Sequence, residues 1–212
     1  MKKNYNDFKI IIVFLGKAIM ILCLLRHGES IANKKNILSG GVIDVELSEK
    51  GVKQSENAGK ILRDIKFDIV YTSKMKRAIS TAYLVENNIG YNFPSWIKDH
   101  KLNERSYGII EGYNYDYLNN IFGKEKMYMY LFSLNSSPPK GESNFHVYSR
   151  VKEFYDENIK NNIKKDINIL IVSHFTVTIS LMAIIENIDL NKAYKSLYIE
   201  NAKPIIYEIK NN

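Results

Sequence analysis

Apolar and polar positions along the chain follow two different periods. Short apolar runs that are bounded by polar or turn-forming residues predict buried strands, because they lack the spacing of an amphipathic helix. Such runs lie at residues 19–25, 67–71, 92–98, 168–172 and 204–209. We expect each of them to be a strand of one sheet.

Between these runs, apolar residues recur near the helical period of about 3.6 residues. The pattern predicts helices over residues 48–65, with Ser48 as the N-cap, and over 146–163 and 175–186. A further helix should begin after Ser73, which is also a suitable N-cap. Strands separated by helices are typical of a mostly parallel sheet covered on both faces. The predicted fold class is therefore α/β, a three-layer sandwich.

Two segments depart from this alternation. Residues 108–145 contain many tyrosines and a pair of prolines, and we interpret them as a helical insertion over the sheet. Residues 1–19 begin with lysines and continue into an apolar stretch, as a signal peptide does. Lys9 and Lys17 interrupt that stretch, so we favour an N-terminal extension, disordered or preceding the true start, over a membrane anchor. The predicted domain spans residues 20–212.

Composition narrows the class of protein. The chain has 212 residues, of which 45% are hydrophobic and 25% charged, and these values exclude collagen-like and disordered proteins. Cys23 is the one cysteine, which excludes an internal disulfide and disfavours a zinc site. The net charge of +7 favours anionic partners such as phosphate esters, nucleic acids or acidic membranes. Because the basic residues are spread along the chain, we expect no nucleic-acid partner.

Reactive side chains of open α/β sheets collect just beyond the carboxyl ends of the strands. Arg26 and His27 end the first predicted strand, Arg77 lies one turn into the helix after the second, and His174 ends a late strand. A neutral imidazole is a good nucleophile towards phosphorus at physiological pH. Guanidinium groups present paired donors that match phosphate oxygens. These four residues predict phosphoryl transfer through a covalent phosphohistidine.

The reaction also needs an acid that protonates the leaving alkoxide. Glu104 is the candidate, although composition alone does not select it over the other carboxylates. Each candidate has a simpler interpretation by itself, since a histidine after a strand is usually structural and an arginine on a helix turn is usually solvated. Their occurrence together and in this order favours a site. His100 and His146 lie away from strand ends, and we expect them to be structural.

Short motifs occur along the chain in a recognisable order. They are Leu25-Arg26-His27-Gly28-Glu29-Ser30 with Asn33, Ser39-Gly40, Tyr71-Thr72-Ser73 with Arg77-Ala78, Leu102-Asn103-Glu104-Arg105, Glu111-Gly112-Tyr113-Asn114, Ser173-His174, and residues 201–208. At these residues the chain resembles the histidine phosphatase superfamily, in its cofactor-dependent phosphoglycerate mutase branch, over nearly all of residues 20–210. The resemblance implies a phosphoglycerate mutase-like fold. It also implies these roles: His27 as nucleophile, Glu104 as acid and base, Arg26, Arg77 and His174 as the phosphate pocket, and Asn33, Ser39 and Gly40 as accessory phosphate contacts.

The rim of the expected site departs from that branch. In the mutases, a lysine after the acid motif and an arginine pair in the insertion hold phosphoglycerate. By register these places are Tyr115, Leu131 and Phe132 here, and Phe175 replaces the glycine that follows the last histidine. The loss of one charge-assisted contact costs about 1.5–3 kcal/mol. Several such losses should weaken phosphoglycerate binding severely.

We therefore expect a histidine phosphatase that hydrolyses a small-molecule phosphate monoester without a metal ion, since the arginines and His174 supply the neutralising charge. The uncharged rim suggests a substrate less anionic than bisphosphoglycerate, with an aromatic or aliphatic body. Lys124 or Lys126 could replace a lost contact, so a phosphoglycerate mutase primed by 2,3-bisphosphoglycerate is the first alternative. A catalytically silent phospho-ligand-binding protein is the second. The expected setting is the cytoplasm, without membrane attachment, and a homodimer is left open.

Overall fold

The computed structural model describes residues 2–5, 8–13, 19–165 and 167–210. Within these ranges, seven strands form a single sheet. In chain order the strands are β1 Lys2–Tyr5, β2 Phe8–Val13, β3 Ile19–Arg26, β4 Ile69–Thr72, β5 Trp96–Lys98, β6 Ile169–Ser173 and β7 Ile205–Lys210.

The order of strands across the sheet is β1-β2-β7-β3-β6-β4-β5. The pairs β2–β7, β3–β6, β4–β6 and β4–β5 are parallel, whereas β1–β2 and β3–β7 are antiparallel. The predicted mostly parallel sheet is therefore confirmed. Arg26 lies opposite Ser173, and Thr72 lies opposite Val172. This register brings the carboxyl ends of β3, β6 and β4 to one edge of the sheet.

The helices cover both faces of this sheet. In chain order they are α1 Ile31–Lys34, α2 Glu49–Ile61, α3 Lys76–Ile89, α4 Tyr115–Phe122, α5 Lys124–Phe132, α6 Asn144–Phe154, α7 Phe175–Glu186 and α8 Leu190–Ser196. Short 3₁₀ turns occur at His100–Leu102, Gly108–Ile110 and Ile163–Lys165, and a π-helical turn, Tyr155–Lys160, follows α6. Across the described residues, no helix combines the length and the apolarity that a membrane span requires.

Alternate side chains of β3 point to opposite faces and build two separate cores, as the two-residue period of a strand requires. Leu25 packs in one core with Ala58 of α2 and Ala82 of α3. Leu24 packs in the other core, which contains Val151 of α6 and residues of α7. The sheet is thus sandwiched between two helical layers, which confirms the predicted three-layer α/β fold.

The helix boundaries agree with the sequence pattern in part. Helix α7 has the predicted limits, and the Ser48 side chain accepts the N–H of Gly51 as the cap of α2. Helix α2 ends at Ile61 instead of residue 65, because the chain tightens into a turn that Ile65 closes through its N–H. The predicted N-cap role of Ser73 is wrong. Helix α3 begins at Lys76, and the Ser73 hydroxyl contacts His174 instead.

The insertion and the N-terminal segment both attach to the main fold. Helices α4 and α5 lie within the predicted insertion at residues 108–145, and their buried side chains form a small apolar cluster with Leu38. The described residues of the 1–19 segment form β1, β2 and the start of β3, so they extend the sheet. The other residues of that segment lie outside the described part. The predicted boundary at residue 20 stays a prediction.

Candidate active site

Candidate side chains follow three neighbouring strands at the same edge of the sheet. His27 comes directly after β3 and His174 directly after β6, and their ring centroids are 5.1 Å apart. Arg77 lies in the first turn of α3, after β4, and its Nε donates to Nε2 of His27 at 3.3 Å. All three residues are buried. The fold therefore brings together residues that are far apart in the sequence.

The hydrogen bonds of His27 fix its tautomer. Its Nδ1 lies 2.6 Å from the carbonyl oxygen of Gly28, which can only accept, so Nδ1 carries the proton. Its Nε2 accepts from Arg77 and therefore holds a lone pair. Burial, followed by the positive charges of Arg77 and Arg26, lowers the pKa of His27 well below its usual value. The ring is consequently neutral at pH 7, with its basic nitrogen beside a guanidinium group.

Gly28 allows the chain after His27 to approach α2 closely. A Cβ at this position would lie 2.4 Å from the carbonyl oxygen of Gly51 and 2.7 Å from Oγ of Ser55. The N–H of Gly28 also donates to Oγ1 of Thr81 in α3, at 2.9 Å. The backbone that carries the imidazole is therefore fixed between two helices.

Arg77 is held by the carbonyl groups of a loop. Its two terminal nitrogens donate to the oxygens of Gly40, at 2.7 Å, and Ile43, at 3.2 Å. The carboxylate of Asp44 lies 3.7 Å away. Glu111 holds the loop in turn. Its carboxylate accepts four backbone N–H groups at 2.7 to 3.1 Å, those of Gly41, Val42, Ile43 and Tyr107.

Arg26 is the last residue of β3 and directly precedes His27. One of its terminal nitrogens donates to the carbonyl oxygen of Ile199 at 2.7 Å, and its guanidinium carbon lies 5.2 Å from the ring centroid of Phe175. Its Nε is buried and has no hydrogen-bond partner among the described residues. Arg26 therefore keeps donor capacity for a ligand oxygen.

The segment before β7 also fixes the end of β3. The side-chain amide of Asn201 donates to the carbonyl oxygen of His27, and the N–H of Ala202 donates to that of Arg26, both at 2.9 Å. The nucleophile candidate is thus held from the carboxyl-terminal part of the chain as well as from the helices.

His174 is fully buried beside His27. Its Nε2 lies 2.7 Å from the hydroxyl oxygen of Ser73, and its Nδ1 has no hydrogen-bond partner in the described part of the chain. Burial, and then the charges of Arg77, His27, Arg150 and Arg26, lowers the pKa of His174 well below its usual value. At pH 7 the ring is neutral. It can offer a hydrogen-bond donor in place of the positive charge that was expected of it.

Glu104 approaches the same cavity from the loop after the His100–Leu102 turn. Its carboxylate is almost buried and accepts the N–H of Arg105 at 2.8 Å. Burial lowers the pKa of the Arg26 and Arg77 guanidinium groups, and the negative charge of Glu104 opposes that effect in both. The structure therefore brings Glu104 together with the residues at the strand ends.

Arg105 connects this loop to the insertion. The side chain is fully buried and donates to acceptors at 2.7 to 3.2 Å: the carbonyl oxygens of Tyr130, Leu131, Ser136 and Glu142, and Oδ1 of Asn144. Because Glu104 precedes Arg105 directly, the position of the carboxylate depends on the packing of the insertion.

A cavity of about 800 Å³ lies over these groups. Predicted site residues that line it are Arg26, His27, Asn33, Ser39, Gly40, Arg77 and Glu104. The side chain of Asn33 also accepts the N–H of Ser30 at 3.1 Å, which caps α1. His174 is not itself a lining residue, but its ring centroid is 5.1 Å from that of His27, which lines the cavity. The structure thus brings all the predicted site residues to one region.

Uncharged side chains form part of the cavity rim. Tyr115, Leu131, Phe132 and Phe175 line it, at the places where the mutase branch has its cationic contacts or a glycine. Lys124 and Lys126 line a separate depression on the insertion. The lysines that do line the active-site cavity are Lys50, which pairs with Glu29 at 3.0 Å, and the exposed Lys195 of α8.

The two remaining histidines have structural contacts. His100 is exposed and lies 3.5 Å from the carboxylate of Asp99, and Nδ1 of His146 accepts the N–H of Ser143 at the start of α6. Among the described residues, no group of three or more histidine, cysteine, aspartate or glutamate side chains could hold a metal ion.

Four residues of the site were not identified from the sequence as contributors: Ser73, Arg105, Glu111 and Asn201. All four stand within the motifs, and that position is the signal that could have found them. No pattern points to the role of Glu111, since its N–H partners lie mostly in a loop about 70 residues away.

The chain matches known proteins over most of its length. Residues 22–212 match the profile of the histidine phosphatase superfamily (branch 1). A 2,3-bisphosphoglycerate-dependent phosphoglycerate mutase from Cytophaga hutchinsonii is 38% identical over 79% of this chain and 78% of its own. An enzyme of the same name from Methanococcus vannielii is 32% identical over 89% of this chain and 90% of its own.

A solved structure with a different activity in its name is also similar. The α-ribazole phosphatase from Shigella flexneri superposes with a TM-score of 0.75 at 27% identity, over 88% of this chain and 89% of that one. Mutases and phosphatases are therefore both among the relatives of this fold.

Proposed function

The chain belongs to the histidine phosphatase superfamily, and from that membership we propose that it hydrolyses small-molecule phosphate monoesters through a phosphohistidine on His27. The lone pair on His27 Nε2 attacks phosphorus, and the ester bond to the alcohol breaks. Glu104 takes up the proton of the monoanionic ester and gives it to the leaving oxygen. Water then attacks the phosphohistidine and gives a proton to Glu104, which passes it to the departing phosphate, so that both side chains are restored.

The tautomer of His27 is the observation that carries this proposal. Because Nδ1 donates to Gly28, the available lone pair is on Nε2, next to Arg77. When Nε2 bonds to phosphorus, the imidazole gains positive charge, and the Gly28 carbonyl oxygen at 2.6 Å stabilises it. The Nε of Arg77 then loses its acceptor on the ring and can donate to a phosphoryl oxygen.

The cavity rim supports hydrolysis of esters that carry an apolar body. Tyr115, Leu131, Phe132 and Phe175 present rings and an aliphatic group to the cavity. Such surfaces gain free energy by burying an aromatic or aliphatic alcohol moiety, and they offer little to a second phosphate or carboxylate. We therefore assign the substrate to phosphate monoesters less anionic than bisphosphoglycerate.

Phosphoglycerate mutation is the second candidate, because the curated relatives above bear that name. A mutase of this kind is primed by 2,3-bisphosphoglycerate, and the residues present fit this group in part. Arg26, Arg77 and His27 suit one phosphate, whereas Leu131 and Phe132 stand where the second anionic end would need cations. Lys195 is an exposed lysine that lines the cavity and has no carboxylate partner among the described residues, and mutase activity would depend on it.

Labelling tests the phosphohistidine. The protein is mixed with p-nitrophenyl [³²P]phosphate and quenched in alkali, in which phosphohistidine is stable. We expect base-stable, acid-labile label on the wild type and on His100→Gln, whose imidazole is exposed. We expect none on His27→Asn. A folded wild type that takes up no label would refute the enzyme mechanism and favour the silent phospho-ligand binder.

Product analysis separates the two activities. We expect inorganic phosphate from aryl phosphates and no interconversion of 2- and 3-phosphoglycerate, with or without added 2,3-bisphosphoglycerate. Interconversion that depends on the primer, without phosphate release from aryl esters, would reject hydrolysis as the function. A Lys195→Ala variant then shows whether that lysine supplies the missing contact.

A further inference from the structure

We propose that Ser73 is a positioning residue that fixes the tautomer of His174, so that Nδ1 of this imidazole presents a proton to the transferred phosphoryl group. The inference rests on the proposed function, since it adds a residue to the same reaction. Ser73 directly follows β4 and His174 directly follows β6, the neighbouring strand. Both residues are fully buried.

The hydrogen bonds around Ser73 decide which nitrogen carries the proton. The hydroxyl oxygen accepts the N–H of Met75 at 3.2 Å and lies 2.7 Å from Nε2 of His174. A serine hydroxyl has one proton to donate, and Nε2 is its acceptor among the described residues. If Nε2 held the proton instead, the hydroxyl proton would be buried without an acceptor, which is unfavourable. Ser73 therefore donates, Nε2 accepts, and the proton of the neutral ring is on Nδ1.

The sheet topology places the His174 ring beside His27, where its second nitrogen, Nδ1, can act on a phosphoryl group. Strand β6 lies between β4 and β3, so His174 has Ser73 on one side and His27 on the other. Nδ1 is buried and has no partner in the described part of the chain. A phosphoryl group on His27 supplies oxygens that can accept this proton. The opposite tautomer would turn a lone pair towards the same anionic oxygens and repel them.

Nuclear magnetic resonance tests the tautomer without substrate. Full-length protein labelled with ¹⁵N-histidine is examined at pH 7.5 by two-bond ¹H–¹⁵N correlation, and His174→Gln assigns the signals. We expect the Nδ1–H form of His174 in the wild type, and a mixture or the Nε2–H form in Ser73→Ala. Thr178→Val is the matched control, because Thr178 is a buried hydroxyl residue whose N–H donates to the carbonyl oxygen of His174. This control should keep the wild-type tautomer.

An Nε2–H form in the wild type, or an unchanged tautomer in Ser73→Ala, would overturn the proposal. If Ser73→Ala does not fold, the wild-type spectrum alone decides. Because the unliganded protein is measured, this outcome is separate from the failure of the proposed function, which would appear as unlabelled wild-type enzyme.

Orthovanadate, a phosphate analogue, tests the consequence for binding. We expect about tenfold weaker inhibition by orthovanadate in Ser73→Ala, since one hydrogen bond to a charged group is lost. Ser73→Thr keeps the hydroxyl group and should restore both the tautomer and the affinity. Equal weakening in both variants would show that the hydroxyl proton is not the cause, and would also overturn the proposal.

Discussion

The two buried imidazoles should make the stability of the protein fall as the pH drops from 7.5 to 5.5. The pKa values of His27 and His174 lie well below their usual range. Burial is the larger cause, and the neighbouring arginine charges are the smaller one. In the unfolded chain both rings take up a proton as the pH passes through about 6.5, whereas in the folded chain they stay neutral. The unfolded state therefore binds more protons. The stability that these residues contribute is present above pH 6.5 and is lost below it.

The magnitude follows from the difference in bound protons. Between pH 7.5 and 5.5, an imidazole in the unfolded chain gains about 0.8 proton, and integration gives a loss of about 1.4 kcal/mol per buried histidine. The pair together should lower the free energy of unfolding by about 2.7 kcal/mol. Folded domains typically have a free energy of unfolding of about 5–15 kcal/mol, so this loss is a large part of it. Ordinary carboxyl groups titrate mostly below this pH window.

Urea denaturation at pH 7.5, 6.5 and 5.5 measures the effect. We expect His27→Gln to retain about half of the wild-type pH dependence, because one buried imidazole remains. His100→Gln is the matched control, since that side chain is 70% exposed, and it should keep the full dependence. A His27→Gln variant whose stability varies with pH as the wild type does would refute the reasoning. The same comparison can be repeated with His174→Gln.

Two further substitutions test the acid and the loop that holds Arg77. Glu104→Gln should lower kcat/KM by about 10² to 10⁴ for alkyl phosphates and much less for p-nitrophenyl phosphate, whose leaving group needs no proton. An equal loss for both esters would contradict the acid role. Glu111→Gln should destabilise the protein by about 2–3 kcal/mol in urea denaturation, because an amide NH₂ would face two of the four N–H donors. It should also raise KM, since Arg77 depends on the loop, and an unchanged KM would show that the loop holds without this carboxylate.

The sequence predicted the parts of the site that the sheet itself determines. His27, Arg77 and His174 follow apolar runs, and parallel strands bring their carboxyl ends to one edge. Glu104 follows no strand, and it was singled out by the resemblance instead of by the physical pattern. Its position depends on Arg105, whose acceptors belong to the insertion. No local period along the chain encodes such contacts.

Ser73 illustrates why the remaining contacts were missed. A serine before a helix is a common N-cap, and this local interpretation competes with any tertiary one. In the structure, a partner 101 positions away determines the role of the hydroxyl group. Glu111 is similar, because its place in a motif does not reveal what its carboxylate binds, and in the structure that carboxylate is buried under four N–H donors. Single-sequence patterns describe neighbours along the chain, and these two residues act through neighbours in space.

Two polar atoms of the site have no partner among the described residues, and under the proposed function a phosphoryl group satisfies them. Arg26 Nε and His174 Nδ1 are buried without partners in the described structure, and the carboxylate nearest to Arg77 is 3.7 Å away. An unpaired buried polar atom costs about 1–3 kcal/mol, so these atoms are unfavourable in the protein by itself. An anionic oxygen supplies the acceptors that the guanidinium groups and the imidazole lack. Such preorganised donors stabilise charge without rearranging during the reaction. The side chains of the rim are not among these donors. They can therefore differ between relatives while the residues that transfer the phosphoryl group stay the same.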